Sequence, residues 1–141
     1  MKVALCHLEL SNGPEQKNIE LLEKAVRIAA EKGANWVITP ETAVQGYYFY
    51  KLEPETKVDK QPSSKLSFLL SLVKDYGLFL FLGCGEYDSE LNCNFNSCIV
   101  FEPSGEICGR HRKIISHGIG AESWARTADV LKPIDCLNIK V

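Results

Sequence analysis

EQKNIELLEKAVRIAAEKGANWVIT, residues 15–39, decides the fold. Ile19, Leu22, Val26 and Ala29 recur at steps of three and four, one apolar face of a helix, and Glu20, Glu23, Lys24, Arg27 and Glu31 fill the rest of its circumference. Pro14 falls near the first helical position, an acid follows it, and Gly33 supplies the stop. Trp36-Val37-Ile38-Thr39 is then a short apolar strand. Upstream, Lys2 to Leu10 reads as a buried first strand, broken by Ser11-Asn12-Gly13-Pro14. Strand, helix and strand in that space make a βαβ unit, which calls for a parallel pair and an α/β fold.

Moving outward, Pro40 ends the second strand. The cluster Tyr47-Tyr48-Phe49-Tyr50 follows, and Lys51 to Pro62 reads as a polar surface loop. Ser63 or Ser64 can cap a second helix carrying Leu66, Leu69, Leu70 and Val73, stopped by Gly77. Leu78 to Leu82 is a third buried strand. Phe95 to Phe101 and Ile107 to Arg112 flank a turn of four or five residues and predict a hairpin. Cys136 to Val141 alternates apolar and polar, a strand pattern still rising at the last residue.

Composition narrows the function classes. The 141 residues are 45% hydrophobic and 24% charged, as in one globular domain. Sixteen Lys and Arg against eighteen Asp and Glu give a net charge of −2, without the basic balance of a nucleic-acid binder. No apolar run nears the roughly 18 residues of a membrane helix. The N-terminus enters a strand pattern directly, without a signal peptide's apolar core and cleavage site, so the expected location is cytoplasmic. The six cysteines form no C-x-x-C pair and no known zinc spacing, and read as reduced, packed thiols. His7, His111 and His117 lack helical metal spacing, so no metal site is expected.

Four residues could carry chemistry. Glu41 follows a short strand, and in open α/β sheets sites gather at strand carboxyl ends. Buried against aromatic rings, its carboxyl would rise toward the range of a general base; the competing reading is a solvated loop glutamate. Lys113 ends Gly109-Arg110-His111-Arg112-Lys113, on the same strand face as His111 and opposite Arg112. Its amine could stabilise an oxyanion; the competing readings are a solvated basic strand edge and a small phosphate-binding patch. Glu122 sits in a glycine-rich loop after it. Tyr47 could wall a pocket, with a core role for the aromatic cluster as the alternative. Gly83-Cys84-Gly85-Glu86 lacks the frame of a phosphate loop and reads better as close backbone packing.

In order and spacing these pieces resemble the nitrilase, or carbon–nitrogen hydrolase, superfamily. Pro40-Glu41-Thr42-Ala43-Val44-Gln45-Gly46-Tyr47 resembles the motif around its catalytic glutamate. Asn96 to Lys113 resembles the stretch leading to its catalytic lysine, and Glu122 matches the additional glutamate that often follows. The resemblance implies a four-layer α-β-β-α sandwich, here in part, and a Glu-Lys-Cys triad. Glu41 would be the base, Lys113 the oxyanion-side lysine, Glu122 its support and Tyr47 a substrate-positioning side chain.

The resemblance also places the cysteine nucleophile on a turn after a strand that corresponds to about Leu137 to Val141. Cys136 precedes that strand and does not match. Residues 1–141 are therefore expected to be the N-terminal part of one domain, ending before the nucleophile and inactive alone. The implied substrate is a small amide or nitrile, hydrolysed without cofactor, by a protein that is a homo-oligomer when complete and takes no nucleic-acid or membrane partner. Two other readings compete: a non-catalytic α/β binding module on the same scaffold, and a small nucleotide-binding domain. The last needs a glycine-rich loop after the first strand, which Ser11-Asn12-Gly13-Pro14 does not supply.

Overall fold

A computed structural model describes residues 1–52, 55–116, 122–136 and 138–141. Five strands form one sheet in the order β1 (Val3–Leu5), β2 (Trp36–Ile38), β3 (Phe79–Asp88), β4 (Cys93–Phe101) and β5 (Ile107–Arg112). β1, β2 and β3 run parallel; β4 and β5 return antiparallel. The parallel half is built by helices α1 (Glu15–Glu31) and α3 (Ser67–Tyr76), with the short α2 (Phe49–Leu52) between them. This is the α/β architecture read from residues 15–39.

α1 buries the predicted stripe, Ile19, Leu22, Val26 and Ala29, and adds Asn18. Pro14 sits at its N-cap, and Gly33 closes it at a φ of +77°, donating its N–H to Ala30. α3 presents Leu69, Leu72 and Val73 and stops at Gly77 in the left-handed region. The two helices cover one face of the sheet, where Leu80, Leu82, Ile99 and Phe101 meet them in the main core. Each such fully buried side chain contributes about 1.5–3 kcal/mol. On the opposite face, Trp36, Phe79, Phe81 and Val100 pack beneath Ile134 and Cys136.

The structure corrects several expectations. The first strand is three residues, not Lys2 to Leu10, and its side chains at Val3 and Leu5 are exposed. β2 ends at Ile38, Thr39 turns to bond Phe81, and Pro40 has no N–H to offer, so β1 finds no ladder beyond Cys6. Neither Ser63 nor Ser64 caps α3 through its side chain; a 3₁₀ turn, Ser64–Leu66, leads into the helix instead. The loop before it is not wholly superficial, since Val58 and Gln61 are buried and Gln61 donates to the Gly85 carbonyl. β3 runs on to Asp88 because β4 pairs with it residue for residue. Cys136 to Val141 is not one strand: β6 (Asp135–Cys136) and β7 (Ile139–Lys140) fold back as a hairpin, turned by Asn138 at a φ of +66°.

Candidate active site

Register places the site. Asn96 and Cys98 alternate with Phe95, Ser97 and Ile99 along β4, and His111 stands opposite Cys98 on β5. Lys113 continues that face one pair further, its N–H bonded to the Asn96 carbonyl. Asn96, Cys98, His111 and Lys113 thus share the face turned away from α1 and α3. Lys113 lies on the same face as His111 and opposite Arg112, as alternation requires.

Glu41 reaches this face from the turn after β2. The turn is clamped to β3: the Thr39 hydroxyl accepts the Gly83 N–H, and Ala43 donates to the Gly83 carbonyl at 2.7 Å. A β-carbon at Gly83 would collide with the Pro40 carbonyl oxygen, so only glycine permits this approach. The Gly83-Cys84-Gly85-Glu86 stretch therefore serves close packing; Gly85 in turn meets Val58 and Trp124. Thr42 holds a φ of +48°, and its buried hydroxyl meets no partner among the described residues. Left-handed backbone at a β-branched residue costs on the order of 1–2 kcal/mol, the kind of local strain that gathers at functional sites.

The three charged residues converge. The Lys113 ammonium donates to Glu41 Oε1 at 2.8 Å and to Glu122 Oε1. Ser116 donates its hydroxyl to Glu122 Oε2 at 3.1 Å. Glu122 is buried, whereas the Glu41 side chain is 41% exposed. The expected burial of Glu41 against aromatic rings is not found; Asn96 and Lys113 hold it instead, with Asn96 Nδ2 donating to Oε1 at 2.6 Å. Burial pulls the Lys113 amine down, but the bonds to Glu122 and Glu41 outweigh it and hold the amine above its usual 10.5. Lys113 is thus a fixed cation at neutral pH.

Tyr47 stands beside this cluster. Partial burial, and then the negative charges of Glu122 and Glu41, push its phenol up. The aromatic cluster divides by role: Tyr47 and Tyr48 are exposed and meet edge to face, while Phe49 is buried against Trp124 at 4.9 Å. An open cavity of about 230 Å³ lies between Glu41, Asn96, Cys98, His111 and Lys113. Burial pushes the Cys98 thiol up to about 11, so its thiolate is scarce at neutral pH. Residues His117 to Ala121 of the glycine-rich loop, and Leu137, lie outside the described residues. Among the described residues no cluster of His, Cys, Asp and Glu could hold a metal ion, and no helix is long and apolar enough to cross a membrane.

Asn96 was not singled out from the sequence, although it opens the stretch quoted for Lys113. Its contact with Glu41 depends on β4 lying beside the β2 turn, a pairing between residues 55 apart.

A mixed sheet of this order carries an acid and an amine in the lining of one cavity, and a second, buried acid bonded to that amine. The carbon-nitrogen hydrolase family model matches residues 2–133, and the chain belongs to that family. It is 31% identical to a nitrilase of Pyrococcus abyssi over 116 residues, covering 81% of this chain and 43% of the relative. It is 29% identical to omega-amidase NIT2-B of Xenopus laevis over 124 residues, covering 86% and 44%. The fold matches Saccharomyces cerevisiae Nit3, a nitrilase-superfamily member, with a TM-score of 0.83 at 22% identity, over 99% of this chain and 53% of that one. The chain spans less than half the length of these curated relatives.

Proposed function

We propose that this chain carries the base and the cation of a hydrolase that cleaves the C–N bond of a small amide or nitrile. The observation that carries the reading is the Lys113 ammonium shared between an open glutamate and a buried one. The buried partner, Glu122, fixes the lysine; the open partner, Glu41, is free to exchange a proton with what enters the cavity. Tyr47, whose phenol feels the charge of both carboxylates, is assigned the substrate-positioning role.

The reaction needs a thiol that neither Cys98 nor Cys136 supplies in this reading. Cys98 is held protonated by burial, and Cys136 is buried on the far hairpin. We assign the nucleophile to a cysteine beyond Val141, which makes residues 1–141 the N-terminal part of a single hydrolase domain. Glu41 takes the thiol proton as sulfur attacks the amide carbon. Lys113, with a backbone N–H, holds the oxyanion. Glu41 returns the proton to the nitrogen as the C–N bond breaks, releasing the amine and leaving a thioester. Water then adds to the thioester, giving the carboxylic acid and restoring the thiol.

The test is to assay the chain alone and joined to its downstream sequence, on short amides and nitriles. The expected result is no turnover from residues 1–141, thiol-dependent hydrolysis from the longer protein, and a loss of about 10²–10⁴-fold with Glu41→Gln, the usual worth of a general acid–base. Activity that survives Glu41→Gln removes Glu41 from the role of base. A longer protein without a cysteine after the next strand, and without turnover, favours a non-catalytic binding module.

A further inference from the structure

We infer that Asn96 is a positioning residue for Glu41: its carboxamide fixes one carboxylate oxygen so that the other faces the cavity. The inference rests on the reading of Glu41 as the base. Both described donors to that carboxylate converge on Oε1, Asn96 Nδ2 at 2.6 Å and Lys113 Nζ at 2.8 Å. Oε2 receives no hydrogen bond from the described residues. A base needs a free lone pair aimed at its proton, and this arrangement supplies one oxygen held and one open.

Lys113 alone would not select that geometry. An ammonium is a compact charge with three rotatable donors, and it serves either oxygen of a carboxylate equally. A carboxamide N–H is directional and planar. Asn96 is also rigidly placed: it is 7% exposed, pairs with Gly85 on β3, and accepts the Lys113 N–H through its carbonyl. The orientation of its amide follows from the contact, since the flipped group would set a carbonyl oxygen against a carboxylate oxygen at 2.6 Å.

Glu41, by contrast, is a long side chain, 41% exposed, on a turn. Without Asn96 its carboxylate can rotate about its last torsions while still touching Lys113. A misplacement of about 1 Å at a reacting group costs on the order of 10²-fold in rate.

The experiment compares Asn96→Ala and Asn96→Asp in the complete thiol-bearing enzyme. The expected result is a fall in kcat of about 10²-fold with KM nearly unchanged. In Asn96→Asp the acid limb of the kcat profile moves to higher pH, because a second carboxylate beside Glu41 opposes its ionisation. Asn96→Ala shows a smaller move in the same direction. A folded variant of lower melting temperature with wild-type kcat and pH profile overturns the inference and leaves Asn96 a packing residue. If neither variant folds, the wild-type and Glu41→Gln proteins are compared by NMR. The Asn96 side-chain amide resonance is expected to move upfield when its charged acceptor is neutralised, and an unmoved resonance overturns the inference. If that resonance responds but no hydrolysis is found in any form, the orienting contact stands and the hydrolase reading falls. Hydrolysis together with an unresponsive Asn96 sinks the positioning role alone.

Discussion

Lys113 is held by two carboxylates that differ in solvent access, and the difference decides which contact matters to stability. Glu122 has a side chain 4% exposed, so removing its partner strands a buried charge. Lys113→Ala is expected to cost about 2 kcal/mol, less than a fully enclosed pair because the lysine is one-third exposed. Glu41 is the open partner, and an exposed pair is worth about 0–1 kcal/mol, so Glu41→Gln should leave the urea midpoint nearly unchanged, while under the proposed function it abolishes turnover by the longer protein. Equal losses of stability in the two variants would contradict this division. The pH dependence has a definite sign. Lys113 titrates above its ordinary 10.5 in the folded chain, so its contribution is complete at neutral pH and is lost only as pH rises through that higher value.

At the scale of the element, the carboxyl end of β3 sets the site on one face and the scaffold on the other. Gly83 lets the Glu41 turn lie against the sheet. Gly83→Ala forces a β-carbon into the Pro40 carbonyl, and should cost about 1–3 kcal/mol and displace Glu41, which under the proposed function also lowers turnover by the longer protein. Three residues on, Glu86 turns to the helix side and is buried, accepting from Arg110, Arg112 and Ser97. Burial pushes its carboxyl up, but Arg112, Ser97 and Arg110 together prevail and hold it below its usual 4.5. A depressed folded-state value means that the stabilisation is present above about pH 4.5 and disappears as pH falls through the lower value. Acid unfolding should therefore be shallower in Glu86→Gln, measured as the urea midpoint against pH. None of these contacts was legible along the chain. The face of α1 was, because helical periodicity is local; Glu86 with its arginines, and Asn96 with Glu41, exist only once β4 has chosen its register on β3 and β5. The run Gly83, Gly85 signalled a close approach but not what approaches.

At the scale of the whole molecule, the helices close one face of the sheet, while on the other Ile134 and Cys136 cover the middle strands and leave Val3 and Leu5 of β1 exposed. The closeness of Glu41 and Lys113 was expected from the family resemblance, because each follows a strand and strand ends are local features. Lys2 to Leu10 was misread because an apolar run does not say whether a neighbour is present to pair with it. β1 is the sheet edge, and its Leu5 is 76% exposed. Leu131, Ile139 and Val141 add exposed apolar surface from the segment leading into the hairpin and from the hairpin itself. An unpaired edge beside exposed apolar side chains is a template for association. Residues 1–141 in isolation are therefore expected to self-associate, with sedimentation velocity showing species above 15.8 kDa that grow with concentration. Leu5→Lys places a charge on the free edge and should shift the population toward monomer without altering the far-ultraviolet circular dichroism. A clean monomer at all concentrations in the parent chain would mean that these side chains are covered in solution by the chain itself, and would overturn the open-faced description of this half of the sheet.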